Sequence, residues 1–177
     1  MTYLKGKSIF LRALEPSDID FLFAVENDVS LWHISQTVQP FSRHILEAYI
    51  ESAKSDIYEA KQLRLVICEI ESNNLCGFID LYDFDPRNNR AGVGIVVAES
   101  FRKKGIANEA LELLITYAFE FLNLFQLYAC VEENNQASLT LFSKFGFEKT
   151  GVRKQWNWTT TGFQDEIFLQ LIQHNHV

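Results

Sequence analysis

Apolar positions along this chain follow two periods, and the change from one to the other marks its elements. Ser8–Leu14 reads as a strand, and Pro16 then falls where the first turn of a helix starts, predicting a helix to about Asn27. Leu31–Phe41 has no clear period and reads as a loop or short turns, with Pro40 as a break. Ser42 is placed to cap a second helix from Arg43 to about Ala60. Leu63–Ile70 and Leu75–Phe84 are strands joined by the turn Ser72-Asn73-Asn74. Asp85-Pro86-Arg87-Asn88-Asn89 turns the chain into a third strand, Ala91–Val97. The three predict an antiparallel meander.

The pattern then changes. Ala107, Ala110, Leu111, Leu114, Ala118 and Leu122 recur at helical spacing, with no internal Gly or Pro. Gln126–Val131 is a strand, and Asn135–Lys144 a short helix stopped by Gly146. Phe147–Trp158 and Phe163–Ile172 are two strands joined around Thr161-Gly162. The order β-α-α-β-β-β-α-β-α-β-β predicts an α+β fold. Its mixed sheet is mostly antiparallel, with one strand-helix-strand crossover and helices packed on it. No repeat or linker divides residues 1–177, which suit a single domain.

Composition narrows the function class. The 47% hydrophobic and 22% charged content excludes a disordered chain. A net charge of −7 argues against a nucleic-acid partner and is compatible with a cationic substrate such as an amine. Cys68, Cys76 and Cys130 form no C-x-x-C pair, so neither a disulfide framework nor a zinc site is indicated. His33, His44, His174 and His176 lack metal-ligand spacing, and no metal is expected. Met1–Gly6 lacks the apolar core of a signal peptide, and no run of 18 apolar residues suggests a membrane span, so a reducing cytoplasm is the expected location.

The most informative segment opens the long helix. The strand ending Ile95-Val96-Val97 runs through a polar loop into Arg102-Lys103-Lys104-Gly105-Ile106-Ala107. Unpaired N–H groups and the helix dipole favour an anion at such a start, and a diphosphate docks there naturally. Gly105 allows close backbone approach, and the three basic residues add charge. A Walker A loop is absent, and Gly92-x-Gly94 lacks the third Gly of a dinucleotide fingerprint. A solvated basic cap is the competing account of this turn.

Arg102–Ala107 resembles the acetyl-CoA signature Arg/Gln-x-x-Gly-x-Gly/Ala of the GNAT N-acetyltransferase superfamily. The segment Asn135 to Phe147, ending Phe145-Gly146-Phe147, resembles its second signature. Ile9–Asp18 and Leu122–Tyr128 are similar to stretches of RimJ/RimL-type protein N-terminal acetyltransferases and of spermidine acetyltransferases. The resemblance implies a V-shaped acetyl-CoA cleft and acetyl transfer to a primary amine, either a protein N-terminus or a polyamine. It implies backbone contacts from Ile95, Val96 and Val97 to the pantetheine arm. Arg102, Lys103, Lys104, Gly105, Ile106, Ala107 and Asn108 would hold the pyrophosphate, Asn135 the pantetheine, and Lys144 the adenosine phosphate.

An amine of pKa near 10.4 must lose a proton before it attacks a thioester. Asp80, where spermidine-acetyltransferase-like relatives carry Glu, is the expected base. Strand alternation puts Asp83 on the opposite face. Two positions depart from the family pattern. Gly92 stands where a Glu is common, and Phe142 where a Tyr donates a proton to the leaving thiolate. Ser138, one turn before Phe142, is the substitute donor that RimL-like relatives suggest. A catalytically weak acetyl-CoA-binding regulatory module is the alternative function. Asp165 and Glu166 are further acids able to meet a positive substrate, and Trp156 and Trp158 suggest a homo-oligomer interface.

Overall fold

Seven strands form one sheet in the computed structural model, which describes residues 3–53 and 55–173. The strands are β1 (Ile9–Ala13), β2 (Leu63–Glu69), β3 (Leu75–Asp85), β4 (Arg90–Val97), β5 (Gln126–Glu132), β6 (Glu148–Thr159) and β7 (Gly162–Ile172). Their spatial order is β1-β2-β3-β4-β5-β7-β6, and every pairing is antiparallel except β4 with β5. The meander and the single crossover therefore stand as the apolar pattern predicts. His174 and His176 lie outside the described residues, as do Met1 and Thr2.

Helices cover both faces, which explains why β2 and β3 read as nearly continuous apolar runs. One core layer packs α5 (Ile106–Thr116) and α6 (Gln136–Lys144) on the sheet through residues such as Leu111, Leu114, Phe142, Ile79 and Leu127. The other packs α1 (Ile19–Glu26) and α3 (Arg43–Ser52) through Leu22, Leu46, Ile50, Val66 and Phe78. Ser42 caps α3 by accepting from the Ile45 N–H at 3.3 Å.

Three boundaries differ from expectation. The helix predicted over Arg43–Ala60 ends at Ser52, and α4 (Ile57–Ala60) starts separately. Asp56 causes the restart: its carboxylate accepts from the Tyr58 and Glu59 N–H groups at 2.9 and 3.0 Å, an N-cap in mid-pattern. The helix expected from Pro16 opens as a 3-10 turn over Pro16–Asp18 before α1, while the short turns expected within Leu31–Phe41 include α2 (Trp32–Ser35). The long helix ends its α-helical hydrogen bonding at Thr116 and closes with a π-helical turn over Tyr117–Phe121.

Two carboxylates fix the N-terminal segment. Glu109, in the first turn of α5, accepts from the backbone N–H groups of Lys7 and Ser8 and from the Ser8 hydroxyl, tying the entry to β1 to the start of α5. Asp18 is buried and takes a two-point bond from Arg12, at 2.7 and 2.8 Å, and the Glu15 N–H at 2.8 Å. Desolvation pushes the Asp18 carboxyl upward, but the bonds from Arg12 and Glu15 outweigh it and hold it below the usual carboxylate range. A depressed folded-state value means stability that is fully present above the unfolded value, near 4, and is lost as pH falls through the folded one. Asp18→Asn is expected to lower unfolding stability by about 2–3 kcal/mol at neutral pH. The deficit should shrink below about pH 4. Urea melts at pH 7 and pH 3 read both effects, and an unchanged midpoint at pH 7 would refute the account.

Candidate functional site

The site begins where β4 and β5 part. Their parallel pairing covers only Arg90↔Gln126, Ala91↔Leu127 and Gly92↔Tyr128. Beyond that rung β4 stays paired to β3 as far as Val97, and β5 stays paired to β7 as far as Glu132. The backbone of Val93–Val97 thus faces an opening instead of a neighbouring strand. Tyr82 of β3 stands at the apex of the opening. Its ring covers Gly92, where an added Cβ would come within 2.3 Å of it, and it meets Tyr128 edge-to-face at 5.7 Å. The residue at 92 is glycine because an aromatic ring fills the space that a glutamate there would need.

On one side of the opening lies a cleft of about 580 Å³. Ile95, Val96 and Val97 form one wall, and Ala137, Ser138, Thr140, Leu141 and Lys144 of α6 form the other. Its end is the basic turn. Lys103 and Gly105 both take positive φ, 62° and 82°, and wind the chain into α5, whose start has no side-chain cap. The first N–H groups of α5 are therefore left for an anion, beside Arg102 and Lys103. Lys104 differs from its neighbours. It does not line the cleft, and its ammonium sits 5.0 Å over the Phe101 ring.

Other expected cofactor residues converge on the same cleft. Arg102 Nε donates to the Val97 carbonyl at 3.0 Å, bracing the end of β4. Asn108 lines the cleft and accepts from Lys144 Nζ at 2.9 Å, a bridge between α5 and α6. Asn135 caps α6, its Oδ1 accepting from the Ser138 N–H at 3.2 Å, which leaves its amide NH₂ as the group available to a ligand. An open strand edge, an uncapped helix start and basic side chains together suit a long amide-bearing ligand that ends in phosphates.

A second cleft of about 530 Å³ opens on the other side and shares His33, Ile34, Ile95, Asn135 and Ser138 with the first. Its lining includes Asp80, Asp83, Glu132 and Glu166 against Arg64 and Arg153. Strand alternation fails here. Asp83 has φ 47° at a register shift between Tyr82 and Asp85, and the bulge brings it into the same cleft as Asp80.

The charges are unevenly paired. Asp80 is held at both oxygens by Arg64, at 2.9 Å each, and Arg64 also meets Glu26 and lies between the Tyr49 and Phe78 rings. Glu166, in β7, takes Arg153 at 2.7 Å and Asn157 at 3.3 Å. Asp83 accepts from the Tyr128 hydroxyl at 3.3 Å. Burial, aided by Asp83, pushes that hydroxyl up to about 12, so it stays protonated at neutral pH. Glu132 is the exception: it is 8% exposed, and its Oε1 has no partner among the described residues.

Several of these residues were not singled out as candidates from the sequence. Glu132, Arg64, Arg153, Tyr82 and Tyr128 come together only from four strands, although an acid ending an apolar strand three residues before Asn135 was a visible signal for Glu132. Of the two acids opening the last strand, Glu166 lines the cleft, while Asp165 faces Lys154 at 2.6 Å. His33 lines both clefts, and His44 is exposed on α3. Ser138 stands where the clefts meet. Phe142 lines the second cleft, buried against Phe147 at 5.0 Å.

Known proteins share this arrangement. The Acetyltransferase (GNAT) domain family matches residues 8–148. The chain is 32% identical to Bacillus subtilis YdaF, provisionally named a ribosomal N-acetyltransferase, over 95% of this chain and 93% of that protein. It is 24% identical to Escherichia coli spermidine N(1)-acetyltransferase, over 96% and 89%. The crystal structure of Vibrio cholerae spermidine N-acetyltransferase with CoA and spermine superposes with a TM-score of 0.86 at 23% identity, covering 95% of this chain and 97% of that one. With the parted strands, the uncapped phosphate turn and the full-length match in hand, the chain belongs to the GNAT acetyltransferase family and is an acyltransferase with acetyl-CoA as its donor.

Proposed function

We propose that this enzyme acetylates a primary amine and prefers a polycationic aliphatic amine such as spermidine. The observation that carries this is the acceptor cleft: four carboxylates against two guanidiniums, opening onto the donor cleft at Ile95, Asn135 and Ser138. At an effective dielectric near 20, one unpaired charge at about 4 Å is worth roughly 4 kcal/mol to a cation, before desolvation. A free peptide N-terminus carries one positive charge at the acceptor amine, whereas a polyamine carries several.

In this account the backbone of Ile95, Val96 and Val97 and the amide of Asn135 hold the pantetheine arm. Arg102, Lys103, Gly105 and the N–H groups of Ile106, Ala107 and Asn108 hold the diphosphate, with Lys104 adding only distant charge and Lys144 standing near the nucleotide end. Bound acetyl-CoA supplies an activated thioester. Asp80, held at both oxygens by Arg64, shapes the cleft. Ser138 donates to the leaving sulfur through water. Phe142 cannot donate, but a thiol pKa near 8.5 means that release as thiolate at pH 7 costs only about 2 kcal/mol. That loss slows an enzyme without silencing it, which favours catalysis over a purely regulatory role. We assign the enzyme to the cytoplasm on the strength of its three unpaired cysteines.

Release of free thiol from acetyl-CoA, followed over spermidine, diamines, monoamines and short peptides, tests the proposal. Spermidine should exceed a monoamine in kcat/KM by at least about tenfold, and the margin should fall with added salt. Turnover confined to peptides would move the assignment to protein N-termini, and silence on every amine would reject it. Phe142→Tyr is expected to raise kcat by about tenfold, below the roughly 30-fold ceiling that 1.5 pKa units set. No gain would show that proton donation to sulfur is not limiting.

We also infer self-association along β6. It is the sheet edge, and Trp158 (71% exposed), Phe163 and Val152 leave apolar surface there. Light scattering should give a multiple of the chain mass that Trp158→Ser reduces. A monomer at all concentrations would remove the inference.

A further inference from the structure

We propose that Glu132 is a catalytic residue. Its carboxylate holds the acceptor's ammonium at the junction of the two clefts and takes the proton that the nitrogen must lose before attack. The inference rests on the acetyl-transfer function proposed above.

The case is one of placement and of elimination. Glu132 ends β5, and its carbonyl accepts from the Asn135 N–H at 2.9 Å, so it lies beside the residue that both clefts share. It lines the acceptor cleft while more than nine-tenths buried. A buried carboxylate oxygen without a donor is costly, and among the described residues nothing donates to Glu132 Oε1. The strand register sets it directly opposite Glu166, so two carboxylates lie side by side on one rung. Arg153 satisfies Glu166, leaving the second charge uncompensated. Across the cleft, Arg64 is committed to Asp80 and Glu26, and Asp83 already accepts from Tyr128. Cys130 of β5 and His33 of α2 also face this space. A protonated amine supplies what the arrangement lacks: a positive charge and a donor.

The step balances simply. The ammonium gives one proton to Glu132, and the freed lone pair attacks the thioester carbonyl. The tetrahedral adduct collapses with cleavage of the C–S bond, and the nitrogen's second proton reaches the departing sulfur by relay through Ser138 and its water. The products are the amide and the free thiol, and Glu132 passes its proton to solvent.

Glu132→Gln keeps the shape and removes both the charge and the proton acceptor. At pH 7 and saturating acetyl-CoA, kcat/KM for spermidine should fall about 100-fold. Acetyl-CoA affinity, read by calorimetry, should stay within about twofold, because Glu132 does not line the donor cleft. The deficit should shrink toward about pH 10, where the amine deprotonates by itself. Glu132→Asp, which keeps a carboxylate, should be slower but retain the wild-type pH profile. Glu132→Gln activity close to wild type, or an equal loss at every pH in both variants, would overturn the proposal. If the wild-type protein binds acetyl-CoA yet acetylates no amine, the proposed function fails and this inference with it. An active wild type with an unaffected variant sinks the inference alone.

Discussion

Everything in this molecule depends on the parting of β4 from β5. Parallel strands normally continue side by side, because each unpaired backbone group shielded from water is costly. Here the pairing stops after three residues, and the aromatic pair Tyr82–Tyr128 stands at the last rung. The open edge of β4 is then free to bind an amide-bearing chain as a missing strand would. The same parting creates the two clefts on opposite sides of one apex, so donor and acceptor approach a common point from opposite directions.

Around that point, ion pairing decides which acids remain available. Arg64 is buried among aromatic rings and shared between Asp80 and Glu26, a network that joins α1, β2 and β3. Arg153 does the same for Glu166 from the neighbouring strand. Removing one partner of such a pair would leave a buried charge, so these acids are tied to structure. Among the described residues, Glu132 Oε1 has no such partner. Like charges across one rung repel, and folding tolerates the repulsion only where something else compensates. A cationic amine is the compensation we propose.

The departures at 92 and 142 acquire a common setting. Gly92 makes room for Tyr82, and Phe142 packs on Phe147 within the core layer of α6. Both positions give up a polar side chain in exchange for aromatic packing close to the apex. Glu132 at the end of β5 and Ser138 near the start of α6 line the cleft beside that packing.

Local chemistry alone determined the element order, the meander and the phosphate turn. Each follows from neighbours in sequence: apolar period, turn residues, a glycine before a helix, an Asn ahead of a short one. The basic helix start at Arg102–Ala107 was legible for that reason, since unpaired N–H groups at a helix start favour an anion whatever packs behind them. Local capping also ended α3 early, because Asp56 competes within a few residues of Ser52. The acceptor half belonged to tertiary structure. The bulge at Asp83 cancelled the alternation that had set Asp80 and Asp83 on opposite faces. Arg64 holds Asp80 at both oxygens from 16 residues away. Glu132 acquired its role from an absent partner, and a missing ion pair is a property of folded space that no stretch of sequence contains.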